Sequence, residues 1–191
     1  MSKPSFSRRK FLATSLLTTA GLGALPQLSF GASTNTLKFR DTSKVRLGFI
    51  GVGRQAMGLL GNFMKTPNVE VVAAADIYKI KLERFKIQTE KLYVDRGGKV
   101  GEIGLYADYK DLLKRGDVDA VVIASPDHWH ALMAIHACKA GKDIYLEKPL
   151  TFTIKEGQEL VKAVRSNGIV LGVGSMQRAG ANFQHAVRMV Q

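Results

Sequence analysis

Three short polar segments each follow an apolar run directly: Ser125-Pro126-Asp127-His128-Trp129-His130, Glu147-Lys148-Pro149 and Gly174-Ser175-Met176-Gln177-Arg178. Lys148 is the strongest candidate for proton chemistry. It leaves an apolar strand and meets a proline that fixes the chain. A lysine held there can protonate or hydrogen-bond a substrate oxygen as hydride leaves or arrives. Partial burial would lower its pKa and suit it to that transfer. The alternative is a surface lysine paired with Glu147. His128 and His130 lie two positions apart and face different sides of a helix, so they do not share a metal. No third ligand is evident, and no metal is expected. One histidine lining a polar pocket is the expectation, with His128 in solvent as the alternative. Ser125 and Asp127 have a second reading as helix caps. Cys138 stands alone, so it forms no intramolecular disulfide and reads as a small buried hydrophobe.

A fourth segment binds rather than reacts. Gly51-Val52-Gly53-Arg54-Gln55-Ala56 is a G-x-G-x-x-A run between an apolar strand and a helix. Gly51 permits the tight turn, Gly53 lets the backbone approach a pyrophosphate, and Ala56 keeps the helix close to the sheet. The free amides of the helix start would then face the phosphates. Asp76 follows Gly51 by 25 residues, at the end of the next apolar strand. A carboxylate there can accept from the adenosine ribose hydroxyls. It would repel a 2′-phosphate, which favours NAD over NADP, although Lys79 and Lys81 would soften that preference. The competing reading of Asp76 is a cap on the helix beginning near Lys79.

These segments need elements to position them. The pattern predicts strands at Val45–Ile50, Val69–Ala75, Val118–Ala124, Asp143–Leu146 and Ile169–Val173. It predicts helices after the glycine turn, with Met57, Leu60 and Met64 on one face, and at 80–92, 108–114, 128–140, 154–166 and 182–190. The near-continuous apolar strands imply a sheet covered on both faces. Alternation of this kind gives an α/β fold, a Rossmann-type doubly wound parallel sheet. Ligands of such sheets bind at the carboxyl ends of the strands, where the four polar segments fall.

The chain of 191 residues is 46% hydrophobic and 23% charged, a globular balance. Its net charge is +12, and residues 1–31 hold Lys3, Arg8, Arg9 and Lys10 with no acid, which leaves +8 for the rest. The remaining basic residues are scattered among acids. No basic run carries interleaved aromatics, so no nucleic-acid partner is expected. The start reads as an address. Ser7-Arg8-Arg9-Lys10-Phe11-Leu12 precedes a short, moderately apolar stretch to Leu28, and Ser29 and Gly31 would sit before a cleavage site. The paired arginines predict a twin-arginine signal, the twin-arginine machinery as a partner, and a periplasmic or otherwise exported protein. An ordinary secretory signal or an uncleaved anchor are the alternatives. Export of a folded protein would let the cofactor be loaded in the cytoplasm. Residues 32–44 read as a linker.

Together, Gly51-Val52-Gly53-Arg54-Gln55-Ala56, Ser125-Pro126-Asp127-His128-Trp129-His130, Ala140-Gly141-Lys142-Asp143 and Glu147-Lys148-Pro149-Leu150 resemble the glucose-fructose oxidoreductase, inositol dehydrogenase and rhizopine-catabolism family, written Gfo/Idh/MocA. The resemblance runs from Val45 to the chain end. It implies an NAD-dependent oxidoreductase, with NADP as the alternative cofactor, acting on a sugar, polyol or related carbohydrate. Lys148 would be the catalytic lysine. Gly51, Gly53, Arg54, Gln55, Ala56, Asp76, Ser125, Pro126, His128, Trp129, His130, Glu147 and Lys148 would hold the cofactor. Gln177 and Arg178 would pass under the nicotinamide, as in the exported branch. Ser125 and Asp127 stand where threonine and asparagine are usual. The implied organisation is a dinucleotide domain over 45–174 and a connection over 175–191 to a C-terminal substrate domain that this chain does not contain. The second catalytic group and the contacts of a homo-oligomer would lie there, so the chain alone is expected to bind dinucleotide without turnover. A glycosidase using transient sugar oxidation and a non-catalytic dinucleotide-binding protein are the alternatives.

Overall fold

The computed structural model describes residues 43–98 and 101–191, so the expected signal and most of the linker lie outside the described residues. Six strands form one parallel sheet in the order β3-β2-β1-β4-β5-β6. They are β1 Val45–Ile50, β2 Val69–Ala75, β3 Gly104–Tyr106, β4 Ala120–Ile123, β5 Asp143–Glu147 and β6 Leu171–Gly174. Between and after them run α1 Arg54–Phe63, α2 Lys79–Asp95, α3 Tyr109–Leu113, α4 His130–Lys139, α5 Ile154–Asn167 and α6 Ala181–Val190. Short 3₁₀ turns occupy Asp127–Trp129 and Met176–Ala179. The doubly wound parallel α/β fold expected from the apolar runs is the fold observed.

Central strands buried on both faces must be apolar, and β4 is, as is β1 from Leu47 onward. One face packs under α1 and α2, where Phe49 lies 5.0 Å from Phe85 and 6.2 Å from Phe63, ring centre to ring centre. The other face packs Ile50, Val121, Ile123 and Leu146 against Leu112, Ala134, Cys138 and Leu160 of α3, α4 and α5. Cys138 is buried there, as its apolar setting predicts. Burial of a Phe or Leu side chain contributes about 1.5–3 kcal/mol each.

Element boundaries depart from the pattern where tertiary contacts decide them. β3 has three residues and pairs Ala73–Ala75 of β2; a run that short carries no periodicity to read. α2 extends to Asp95 because Tyr93, whose hydroxyl accepts from Val71 N–H at 2.8 Å, ties its last turn to β2. The helix expected from His128 begins at His130, after a 3₁₀ turn. α5 opens with a capping box: Thr153 Oγ1 accepts from Glu156 N–H, and Glu156 Oε2 accepts from Thr153 N–H. That box sits a few residues beyond the Glu147-Lys148-Pro149 turn and fixes how the chain leaves it.

The sheet order contains one reversal. β1, β2 and β3 run outward to one edge, and β4 returns to the other side of β1. A crevice must open there, because the loops after β1 and β4 lead to opposite faces.

Candidate functional site

The crevice is built from the ends of β1, β2, β3 and β4. A cavity of about 630 Å³ is lined by Gly51, Asp76 and Ile77, by Asp108 to Lys110, and by Ser125, Pro126, Trp129, Leu132, Met133 and His136. Ile77 and Trp129 are exposed apolar side chains among its lining residues.

Gly51 has φ +78°, and a Cβ there would lie 2.8 Å from Ser125 Cα and N, so only glycine fits. Gly53 differs. A Cβ there would meet nothing within 4 Å. The backbone at Gly53 therefore borders open space at the start of α1, and α1 has no side chain capping its first amides. Those amides remain available to an anion. Ala56 is fully buried against the sheet, as expected.

Asp76 connects the loop to the cavity. Its Oδ2 accepts from Val52 N–H at 3.0 Å, and its Oδ1 accepts from Tyr78 N–H at 3.0 Å. It does not cap α2, whose N-cap is Tyr78. Each carboxylate oxygen retains a second lone pair for a hydroxyl. Lys79 and Lys81 are committed elsewhere, Lys79 to Glu83 at 3.8 Å and Lys81 over the Tyr78 ring at 4.3 Å.

Ser125 and Asp127 do not cap the following helical turns: neither the 3₁₀ turn nor α4 has a side-chain cap bond. Ser125 Oγ is buried beside the cavity with no hydrogen-bond partner. A buried orphan hydroxyl calls for a partner. The open backbone at Gly53, the free amides of α1, the lone pairs of Asp76 and this hydroxyl together fit the pyrophosphate and adenosine of a dinucleotide.

Several side chains sit elsewhere than expected. His130 does not line the cavity; it is 1% exposed. Its Nδ1 lies 2.7 Å from Pro149 O and its Nε2 2.9 Å from Ser125 O. The ring therefore bolts the end of β4 to the turn after β5. His128 is exposed, its ring 6.1 Å from that of Trp129. Glu147 is likewise buried rather than turned to a ligand: Oε1 accepts from Gln55 Nε2 at 2.9 Å, and Oε2 accepts from Lys148 N–H at 3.2 Å. Lys148 is exposed, not partly buried. Its ammonium makes no ion pair with Glu147 or any other described residue, so of the surface-lysine alternative the exposed position holds and the pairing does not. The Lys148–Pro149 peptide is cis. Arg54 is exposed at the first position of α1. Gln177 and Arg178 are not brought to the cavity; they line a separate groove of about 500 Å³ with Phe183, Val187 and Arg188.

Two residues at the site carried no readable signal. Tyr109 Oη lies 2.8 Å from His136 Nδ1, with the rings stacked at 6.0 Å, and both line the cavity. Burial, with Lys110 and Lys139 adding to it, holds His136 below the ordinary imidazole range. Their partnership spans 27 residues, so only folding creates it.

A family model described as an oxidoreductase family with an NAD-binding Rossmann fold matches residues 45–175. A glycosyl hydrolase family 109 protein of Solibacter usitatus is 35% identical over 162 residues, covering 81% of this chain and 35% of its own length. The uncharacterised oxidoreductase YrbE of Bacillus subtilis is 31% identical over 150 residues, covering 78% of this chain and 41% of its own. Among solved structures, the WlbA dehydrogenase of Bordetella pertussis, in complex with NADH and UDP-GlcNAcA, matches at 26% identity and TM-score 0.65, covering 77% of this chain and 42% of that one. The scyllo-inositol dehydrogenase of Lactobacillus casei shares the fold at 23% identity and TM-score 0.65, covering 77% and 41%. The chain thus spans well under half the length of these relatives.

Proposed function

The chain belongs to the Gfo/Idh/MocA oxidoreductase family through its NAD-binding Rossmann domain, and from that premise we propose that it is the cofactor-binding part of an enzyme that oxidises or reduces a hydroxyl of a sugar, polyol or related carbohydrate. The observation that carries this reading is the junction of glycine loop and ribose-side carboxylate: Val52 N–H on Asp76 Oδ2, beside a cavity that both ends of the strand reversal line. A nicotinamide dinucleotide, when bound, supplies the hydride acceptor or donor. Gly51, Gly53 and the first amides of α1 hold the phosphates. Asp76 takes the ribose hydroxyls and selects NAD over NADP. Ser125 Oγ donates into the cavity. Lys148, at the end of β5, holds or releases the proton of the reacting hydroxyl.

The family 109 glycosyl hydrolase relatives favour a second reading, in which the sugar is oxidised only transiently and the cofactor is regenerated. Net cofactor consumption separates the two. An oxidoreductase changes the nicotinamide absorbance in proportion to product, whereas the glycosidase releases aglycone without a net change.

Titration of this chain with NAD⁺ and NADP⁺ by calorimetry tests the binding role; no heat with either would sink it. Arg8 and Arg9 support export by the twin-arginine route with cofactor already bound. Mass spectrometry of the exported protein for a co-purified nicotinamide tests that.

A further inference from the structure

The buried carboxylate of Glu147 has both oxygens committed. Oε1 accepts from the Gln55 side chain at 2.9 Å, and Oε2 from the main-chain N–H of Lys148 at 3.2 Å. Gly174 on the neighbouring strand makes room for this arrangement. A Cβ there would lie 2.7 Å from both Glu147 Cδ and Oε1. Gln55 is the second residue of α1, two positions after Gly53. Its side chain turns across the sheet to β5. One carboxylate therefore links the segment that meets the phosphates to the turn that carries Lys148, across 92 residues of sequence.

We propose that Gln55 and Glu147 are positioning residues through which a dinucleotide on the glycine loop fixes the Lys148 turn. Phosphates bound to the amides at Gly53 and Arg54 restrict the first turn of α1. That restriction holds Gln55 Nε2 on Glu147 Oε1, and the carboxylate, prevented from rotating, holds Lys148 N–H on Oε2. A charge-assisted bond inside the protein is strong enough to transmit such a constraint. Capture of cofactor would then precede and prepare the placement of the proton-transferring lysine. The inference rests on reading the glycine loop as the NAD(P) site.

Amide hydrogen exchange at Lys148, with and without saturating NAD⁺, tests it on this chain. In the wild type NAD⁺ should slow exchange of that amide about tenfold. Gln55→Leu, which keeps the size and removes the donor, should leave about twofold or less. Gln55→Ala should do the same. Gln55→Lys restores a donor to Glu147 and should restore the protection. Gln55 is exposed, so these variants should fold. Calorimetry should find NAD⁺ affinity in Gln55→Leu within about threefold of the wild type, because the amides that hold the phosphates are untouched. Full NAD⁺-dependent protection in Gln55→Leu, or none in Gln55→Lys, would overturn the proposal. Absence of any NAD⁺ heat with the wild type would overturn the cofactor reading itself, and is a separate measurement.

Discussion

Asp76 Oδ2 accepts the backbone N–H of Val52 at 3.0 Å, so the carboxylate proposed to hold the ribose also holds the glycine loop. Binding and local structure share one side chain here. Asp76→Ala should therefore cost about 1–2 kcal/mol of stability through the orphaned Val52 N–H. It should also lower NAD⁺ affinity about tenfold or more, and NADP⁺ affinity less, because a 2′-phosphate no longer meets a like charge. Denaturant titration and paired calorimetry read the two effects. Unchanged NAD⁺ affinity would remove Asp76 from the ribose site.

Gly51 and Gly53 separate fold from ligand. Gly51→Ala forces a Cβ to within 2.8 Å of the Ser125 backbone at φ +78°. The left-handed conformation alone costs about 1–2 kcal/mol, and the clash adds to it. Gly53→Ala meets open space, so stability should move by less than about 0.5 kcal/mol. Gly53→Val should weaken dinucleotide binding by intruding on the pyrophosphate. Equal affinity for wild type and Gly53→Val by calorimetry would count against the loop.

Lys148→Ala should bind NAD⁺ nearly as the wild type does, since the phosphates and ribose are proposed to rest on the glycine loop, the first amides of α1 and Asp76. In a protein that also carries a substrate site, turnover should fall about 10²–10⁴-fold, the usual contribution of a positioned proton donor. Unchanged turnover would sink the assignment.

His130→Phe removes the ring that sits between the carbonyls of Ser125 and Pro149 and whose single N–H serves one of them. The loss of one part-buried hydrogen bond from a ring that is itself 1% exposed should cost about 0.5–1.5 kcal/mol. Chemical denaturation reads the loss. A loss below about 0.5 kcal/mol would mean that the two loops do not depend on the ring.

His136 gives the fold a pH dependence. Burial, then Lys110 and Lys139, hold its folded pKa below the ordinary 6.5. The unfolded chain therefore binds the proton first as pH falls. Stability owed to the neutral ring is fully present above about 6.5 and declines below it, levelling off once the folded ring is protonated. His136→Gln should flatten the stability profile below about pH 6.5. Identical slopes in the two proteins would show that another group sets the dependence.

Glycine spacing and strand runs are local, so five of the six strands, the loop at Gly51 and Gly53, and the acid at Asp76 were legible in the sequence. So were the polar segments at the ends of β4 and β5, because an apolar run that stops abruptly marks a strand end. The fate of each polar side chain was not. His130 and Glu147 looked like ligands because polar residues in binding loops usually are. Both are buried instead, with Ser125 O and Pro149 O on one and Gln55 on the other, partners up to 92 residues away. Tyr109 and His136 met for the same reason, and Gln177 and Arg178 parted from the cavity. Sequence determined which residues reach the carboxyl edge of the sheet. Only the tertiary structure decided which of them line the cavity and which hold the edge together, because a hydrogen bond is allotted by distance in space and not along the chain.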